Sequence, residues 1–145
     1  MADDLTAWLT QIWDEREEMA KQASPGPWRL NAEHDEVLAA DDIEVCTAFA
    51  LSNNQLRWTA RHIAANDPAS VLARIAAGRQ ILADWQQANG EHQSWCEEYD
   101  DFGAIEDYGR ADKVRGALES LERIVRLLAQ PYADRPGYLE EWRPE

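Results

Sequence analysis

The chain has 145 residues, of which 45% are hydrophobic and 29% charged, and its formal net charge is −14. This length and composition suit one globular domain and argue against general disorder. The chain has no run approaching the roughly 20 apolar residues of a membrane span. The negative charge argues against direct binding of nucleic-acid phosphates, which needs clustered Lys and Arg. The acidic start of the chain, which has no apolar signal core, and the presence of only two cysteines favour a cytoplasmic protein with reduced thiols.

A helix is predicted over residues 1–22. Apolar residues recur at helical spacing and acidic residues fill much of the opposite face. The sequence Pro25-Gly26-Pro27 cannot continue a helix, so the helix is expected to end near Gln22. The predicted apolar stripe consists of Leu5, Trp8, Leu9, Ile12 and Met19.

A small sheet is predicted over residues 27–50. Three short apolar runs, Trp28–Leu30, Glu36–Ala40 and Glu44–Phe49, are separated by the polar linker 31–35 and by Asp41-Asp42, which favours a tight turn. Because so small a sheet is not stable alone, helices must cover one of its faces.

Two helices are predicted over residues 53–89. Ser52 or Asn53 caps the first, and Leu56, Ala60, Ile63 and Ala64 form its apolar stripe. The second begins with Asp67 as cap and Pro68 at the first position, where proline is permitted. Its apolar residues run to Trp85, and Asn89-Gly90 predicts its end.

Residues 91–108 are predicted to form a mobile or partly ordered acidic connection, in which aromatic residues lie among the carboxylates. A last helix follows over residues 110–130, and a C-terminal turn segment occupies residues 131–145. The prediction is therefore a single α+β domain, 1–145, of about four α-helices packed on one face of a two- to three-stranded antiparallel sheet. The connection holds Glu91, Trp95, Glu97, Glu98, Tyr99, Asp100, Asp101, Phe102, Glu106, Asp107 and Tyr108.

The candidate ligands and nucleophiles are few. His92 and Cys96 are four residues apart and would share a helix face, but a tetrahedral zinc site needs further ligands, and the sequence offers no second pair at metal-binding spacing. Cys46 lies within a predicted strand, where a cysteine is usually a packing residue. We therefore predict no metal, no cofactor and no catalytic residues. Arg57 and Arg61 would share a helix face and could hold an anionic ligand.

Seven tryptophans are more than the composition leads one to expect. Four of them fall where the helix or strand pattern points inward. Trp13, Trp58 and Trp95 fall off these stripes, where they either mark a protein interface or complete a second core face. The inward set is Trp8, Trp28, Trp85 and Trp142.

Several stretches carry a family resemblance: Ala23-Ser24-Pro25-Gly26-Pro27-Trp28-Arg29, residues 62–72, and the closing residues 128–144, which include Pro131-Tyr132-Ala133-Asp134 and Tyr138-Leu139-Glu140-Glu141-Trp142. In these the chain resembles a family of small uncharacterised proteins from actinobacteria and their phages. The resemblance implies no established activity. Its relatives often carry a cysteine- and histidine-rich insert before the final helix and a histidine in the closing turn, which implies zinc in them. Here only His92 and Cys96 remain, and Arg135 occupies the histidine position.

The preferred hypothesis is a non-enzymatic acidic binding protein of phage or mobile-element origin that docks on a host or defence protein. The partner is expected to have a basic surface, because the net charge of −14 would attract it. The predicted contact residues are Trp58 and the stretch Trp95, Glu97, Glu98, Tyr99, Asp100, Asp101, Phe102 and Tyr108, with Arg57 and Arg61. The alternatives are a small-molecule or nucleotide-binding protein or enzyme with a pocket between sheet and helices, and a zinc-binding structural protein; the apolar helix stripes also suit a homodimer.

Overall fold

The computed structural model describes the backbone of residues 2–102 and 108–144, with side chains at all of these positions except 2–3, 95, 97–102 and 108–112. The predicted α+β class is confirmed, since the described residues form four α-helices and a three-stranded antiparallel sheet. In chain order the elements are α1 (Ala2–Gln22), β1 (Arg29–Leu30), β2 (Glu36–Leu38), β3 (Glu44–Thr47), α2 (Asn53–Ala65), α3 (Pro68–Phe102), α4 (Tyr108–Ala129) and two 3-10 turns, Gln130–Tyr132 and Glu140–Trp142.

The chain divides into two compact units. The first contains Met1–Gln11 and Ala77–Glu145, and the second contains Ile12–Ala76. The sheet and α2 belong to the second unit, while α4 and the C-terminal 3-10 turns belong to the first. The single domain expected from the length stays a prediction.

In the second unit, β2 lies between β1 and β3 and pairs with both in antiparallel register. Leu30, Val37 and Cys46 are direct partners across the three strands, so their side chains lie on the same face. This face packs against α2, where Ala60 is fully buried together with Val37 and Ala48. The predicted stripe of α2 is thereby confirmed: Leu56, Ile63 and Ala64 pack against the same cluster.

The turn between β1 and β2 is organised by one side chain. Asn31 Oδ1 accepts hydrogen bonds from the backbone N–H of Asp35 and of Glu36, at 3.0 and 3.1 Å. His34 adopts a left-handed φ of 64° within this turn, a conformation found more often in short polar residues than in bulky ones. His34 is exposed and belongs to the turn rather than to a pocket.

In the first unit, three aromatic rings form a cluster that fastens the C-terminal segment to the start of α1. The ring centroids of Trp8 and Trp142 lie 5.5 Å apart, and Tyr138 lies 5.6 Å from Trp8 and 5.7 Å from Trp142, edge to face. Trp8 Nε1 donates to the carbonyl oxygen of Pro136 at 3.0 Å. Gly137 allows this approach, because its φ is +87° and an added Cβ would lie 3.0 Å from Trp8 Nε1.

Arg126 connects α4 to the same C-terminal segment. One of its terminal nitrogens donates to the backbone oxygen of Glu141 and the other to Glu122 Oε1, both at 2.8 Å. Within the predicted C-terminal turn segment, Glu140–Trp142 forms a 3-10 turn, and Trp142 is buried, as predicted for the inward-pointing tryptophans.

The predicted end of the helix at Asn89-Gly90 is wrong, because α3 continues to Phe102. A glycine inside a helix costs only about 1 kcal/mol, and a hydrogen bond from Gln87 Nε2 to Glu91 Oε1 at 2.9 Å spans this point. The connection predicted for 91–108 is therefore wrong for 91–102, which is helical, while residues 103–107 lie outside the described part of the chain. Met19, placed on the apolar stripe of α1, is exposed.

Candidate protein-docking surface on α2

The surface begins where α2 begins. Ser52 has an extended backbone and its side-chain oxygen accepts a hydrogen bond from the backbone N–H of Gln55 at 3.2 Å, as a helix N-cap does. The Ser52-Asn53-Asn54-Gln55 sequence has the spacing of a capping box.

The first turn of α2 lacks an apolar contact that usually accompanies such a cap. The residue before the cap often packs against the fourth helical residue. Here that fourth residue, Leu56, packs against the sheet, whereas Leu51 is 99% exposed. The local fold therefore makes no use of the Leu51 side chain.

Two further large apolar side chains near Leu51 are exposed. Phe49 is 84% exposed and Trp58 is 60% exposed, although Ala48 and Ala60, their close neighbours in sequence, are buried. Isolated exposed apolar residues are ordinary in proteins, but several of them within 13 residues are typical of an interaction site.

Cationic side chains accompany these apolar groups. The guanidinium carbon of Arg61 lies 5.2 Å from the ring centroid of Trp58, a cation–π distance. Arg57 is exposed and stands four residues before Arg61, so the predicted shared helix face is confirmed as part of α2. We define the 49–61 surface as Phe49, Leu51, Arg57, Trp58 and Arg61.

A second polar feature of the same unit lies at the start of α3. Asp67 is buried, and its two carboxylate oxygens accept hydrogen bonds from the backbone N–H of Ser70 at 2.7 Å and of Trp28 at 3.0 Å. Burial by itself would raise the pKa of Asp67, but these hydrogen bonds and the nearby charge of Arg74 outweigh it, so the pKa lies below its ordinary value. The predicted cap is confirmed, and the carboxylate also holds the strand that follows Pro27.

Gly26 is required beside this carboxylate, because an added Cβ would lie 2.9 Å from Asp67 Oδ2 and 3.2 Å from the backbone nitrogen of Ala69. A cleft of about 190 Å³ opens near Trp28. It is mainly apolar, and the residues that line it are Arg16, Met19, Ala20, Ala23, Trp28, Asn66, Pro68 and Val71.

Comparison with known proteins gives one result of consequence. A family of unknown function, DUF6221, matches residues 2–144. The chain belongs to DUF6221. No curated protein and no solved structure matches it. Membership in DUF6221 confirms the prediction of an uncharacterised family, and it brings no activity with it.

The other predicted contact residues of this DUF6221 member are not placed. The structure does not describe the side chains of the following residues: Trp95, Glu97, Glu98, Tyr99, Asp100, Asp101, Phe102 and Tyr108. Their role in docking stays a prediction. Of the two remaining unassigned tryptophans, Trp13 is buried and is a core residue, whereas Trp58 is exposed.

His92 and Cys96 lie side by side on α3, as their spacing predicts. Cys96 Sγ is 3.8 Å from one ring nitrogen of His92 and 3.9 Å from the other. Among the described residues, no group of three or more His, Cys, Asp or Glu side chains is arranged to hold a metal ion. Cys46 is half-buried in β3 and packs against the cluster of Val37, Ala48 and Ala60, which is a structural role.

Within the described residues, no helix is long and apolar enough to cross a membrane.

The alternative of a pocket between sheet and helices would need polar or cationic side chains such as those of Arg29 and His62, but these two side chains are engaged or exposed elsewhere. Arg29 makes an ion pair with Asp42 at the β2–β3 turn, and His62 is exposed on α2. The face of the sheet under α2 is filled by Val37, Ala48 and Ala60. Phe49 and Leu51 were not among the predicted contact residues: Phe49 was placed at the end of a predicted strand, and Leu51 in the connection before α2.

Proposed function

We propose that this protein is a non-enzymatic binding protein that docks on a partner protein through the 49–61 surface. The observation that carries the proposal is the exposure of Phe49, Leu51 and Trp58 within one short segment of a well-packed unit. Burying one such side chain contributes about 1.5–3 kcal/mol, which this chain alone does not gain. Trp and Arg, which Trp58 and Arg61 supply side by side, are also the residues most enriched among binding hot spots.

The biological setting belongs to the same proposal. A phage or mobile-element origin, with a host or defence protein as partner, agrees with the motif resemblance. The acidic stretch 91–108 carries seven carboxylates and neither Lys nor Arg, so it would attract a basic region of the partner over long range. Cytoplasmic location is the corresponding expectation.

Site-specific photo-crosslinking in host cells tests the docking surface. A photo-crosslinking amino acid replaces Leu51 in one variant and the exposed Gln80 of α3 in another. We expect one protein to be crosslinked from position 51 and not from position 80. Equal crosslinking from both positions would contradict the proposal.

The purified partner then allows a direct measurement. Trp58→Ala is expected to raise the Kd at least tenfold, since truncation of a hot-spot tryptophan costs about 2 kcal/mol or more. Ile43→Ala is the matched control, because Ile43 is 63% exposed and lies in the β2–β3 turn rather than on the 49–61 surface. An unchanged Kd in Trp58→Ala, or an equal change in the control, would refute the surface.

The cleft near Trp28 supports the alternative of a small-molecule binding protein. Its apolar lining includes Met19, Trp28 and Val71, and Arg16 and Asn66 contribute polar groups. A metabolite and nucleotide screen by thermal shift tests it. A ligand that raises the melting temperature of the wild type, but not of Val71→Trp, would favour this alternative over docking. Zinc content, measured by elemental analysis of the purified protein, tests the metal alternative.

A further inference from the structure

The segment that contains the 49–61 surface differs in charge from the chain as a whole. Asp and Glu make up 28 of the 145 residues, yet none occurs between Val45 and Asn66, a span of 22 residues. Within this span lie Arg57, Arg61 and His62, all exposed on α2. A strongly acidic protein therefore has a 22-residue segment without any acidic side chain.

The two arginines of this segment have no carboxylate partner among the described residues. Other basic residues do: Lys21 pairs with Glu17, Arg126 with Glu122 and Arg143 with Glu140. Arg61 instead lies over the ring of Trp58. The guanidinium groups thus keep hydrogen-bond donors for an external acceptor, and a planar guanidinium binds a carboxylate with two parallel hydrogen bonds.

We infer that the segment of the partner seated on the 49–61 surface is an acidic peptide that also carries apolar side chains. This inference rests on the proposed function and names the chemistry of its partner. Carboxylates of the peptide bind Arg57 and Arg61, and its apolar side chains contact exposed apolar groups such as Leu51 and the ring of Trp58. The absence of Asp and Glu from residues 45–66 removes the local repulsion that such a peptide would meet elsewhere on the chain.

A peptide fits this surface better than a nucleic acid does. Phosphate-backbone binding needs many clustered cations and is opposed here by the net charge of −14. Phe49 and Leu51, the most exposed apolar residues of the surface, also suit apolar side chains better than phosphates. The expected partner segment therefore has the opposite charge from the basic region that the acidic stretch 91–108 would attract.

Selection from a random dodecapeptide display library tests the inference with the full chain as bait. Peptides that also bind Trp58→Ala are discarded. We expect the remaining sequences to contain more Asp and Glu than Lys and Arg, with at least one aromatic residue or Leu. Neutral or basic sequences would overturn the inference, and so would failure to enrich any sequence.

The highest-affinity peptide is then measured against variants. Arg57→Glu combined with Arg61→Glu is expected to raise its Kd at least tenfold, while Ile43→Ala leaves the Kd unchanged. Both arginines are exposed, so the melting temperature of the double variant is expected to stay near that of the wild type. An unchanged Kd in a folded double variant would overturn the inference.

Comparing the variants with the crosslinked partner distinguishes failure of the acidic-peptide inference from failure of the proposed docking function. If Trp58→Ala abolishes binding of the crosslinked partner and the double arginine variant does not, docking stands and the acidic peptide is refuted. If neither variant affects the partner, the proposed function itself fails. If a twelve-nucleotide oligo-dT binds more tightly than the peptide, the inference of an acidic peptide is overturned in favour of a nucleic acid. If sedimentation velocity shows a dimer that Trp58→Ala dissociates, the inference is overturned in favour of a second copy of the chain.

Discussion

Trp142 and Trp58 show how differently one residue type is used in the two units of this protein. Trp142 is 3% exposed and contacts two aromatic rings, those of Trp8 and Tyr138. Trp58 is 60% exposed, and its one described ring interaction is with the guanidinium of Arg61. The first tryptophan contributes its apolar area to folding, whereas that of the second remains available for binding.

The same contrast holds for charged groups. Asp67 is buried, and each of its carboxylate oxygens accepts a backbone hydrogen bond. Arg57 and Arg61 are exposed and have no ion-pair partner among the described side chains. The hydrogen bonds of the Asp67 carboxylate therefore serve the fold, whereas the guanidinium groups of Arg57 and Arg61 are not engaged by a carboxylate of the described part of the chain.

The largest effect is expected from Trp142→Ala. Removing this ring opens a cavity beside Trp8 and Tyr138, and such truncations cost about 3–5 kcal/mol of the free energy of unfolding. Urea denaturation measures the loss. Trp142→Phe is the control, because it keeps a ring in the cluster and should lose clearly less. A loss below about 1 kcal/mol for Trp142→Ala would show that the cluster does not hold the C-terminal segment.

A smaller, pH-dependent effect is expected from Asp67→Asn. Asparagine can still cap α3, but its side-chain NH2 group would face one of the two backbone N–H donors. This substitution is expected to lower the free energy of unfolding by about 1–2 kcal/mol at pH 7. The pKa of Asp67 is lowered from 3.8 in the folded protein, so its charge stabilises the fold fully above pH 3.8. This advantage is lost as the pH falls below 3.8 through the lowered folded pKa.

Urea denaturation of wild type and Asp67→Asn between pH 7 and pH 2.5 measures this dependence. The difference in the free energy of unfolding should narrow at the acid end. A difference that stays constant over the whole range would mean that the carboxylate charge is not what stabilises the junction between Trp28 and α3.

The smallest effect on stability is expected from Trp58→Ala. Because Trp58 is mostly exposed, the free energy of unfolding should change by less than about 0.5 kcal/mol, and the melting temperature by less than about 2 °C. Differential scanning calorimetry provides the measurement. A loss comparable to that of Trp142→Ala would abolish the distinction between the two tryptophans and make Trp58 a structural residue.

Much of the fold was predictable because local chemistry specifies it. Pro25-Gly26-Pro27 ends α1, Ser52 caps α2, and Asp67-Pro68 begins α3, each at the predicted place. The end predicted at Asn89-Gly90 was wrong, since glycine and asparagine only lower the helix propensity and side-chain pairs such as Gln87–Glu91 offset that. Local signals therefore specify helix starts more firmly than a single glycine specifies a helix end.

The candidate site was only partly predictable. Trp58, Arg57 and Arg61 follow from the apolar stripe of α2, because they lie off it. The exposure of Phe49 and Leu51 could not be predicted from the sequence, because it depends on which of the described residues pack against them in the fold. Trp13 is the converse case: it lies off the predicted stripe of α1 and is nevertheless buried.

The sequence by itself determined the α+β class, the order of the elements and their caps, because turns, caps and apolar periodicity act over a few residues. The tertiary structure decided which apolar side chains are covered, since burial depends on residues far apart in the chain. It joined Asp67 to the backbone of Trp28 across 39 positions, and it covered Trp142 with Trp8 and Tyr138. It left Phe49, Leu51 and Trp58 exposed, with the guanidinium of Arg61 over the ring of Trp58.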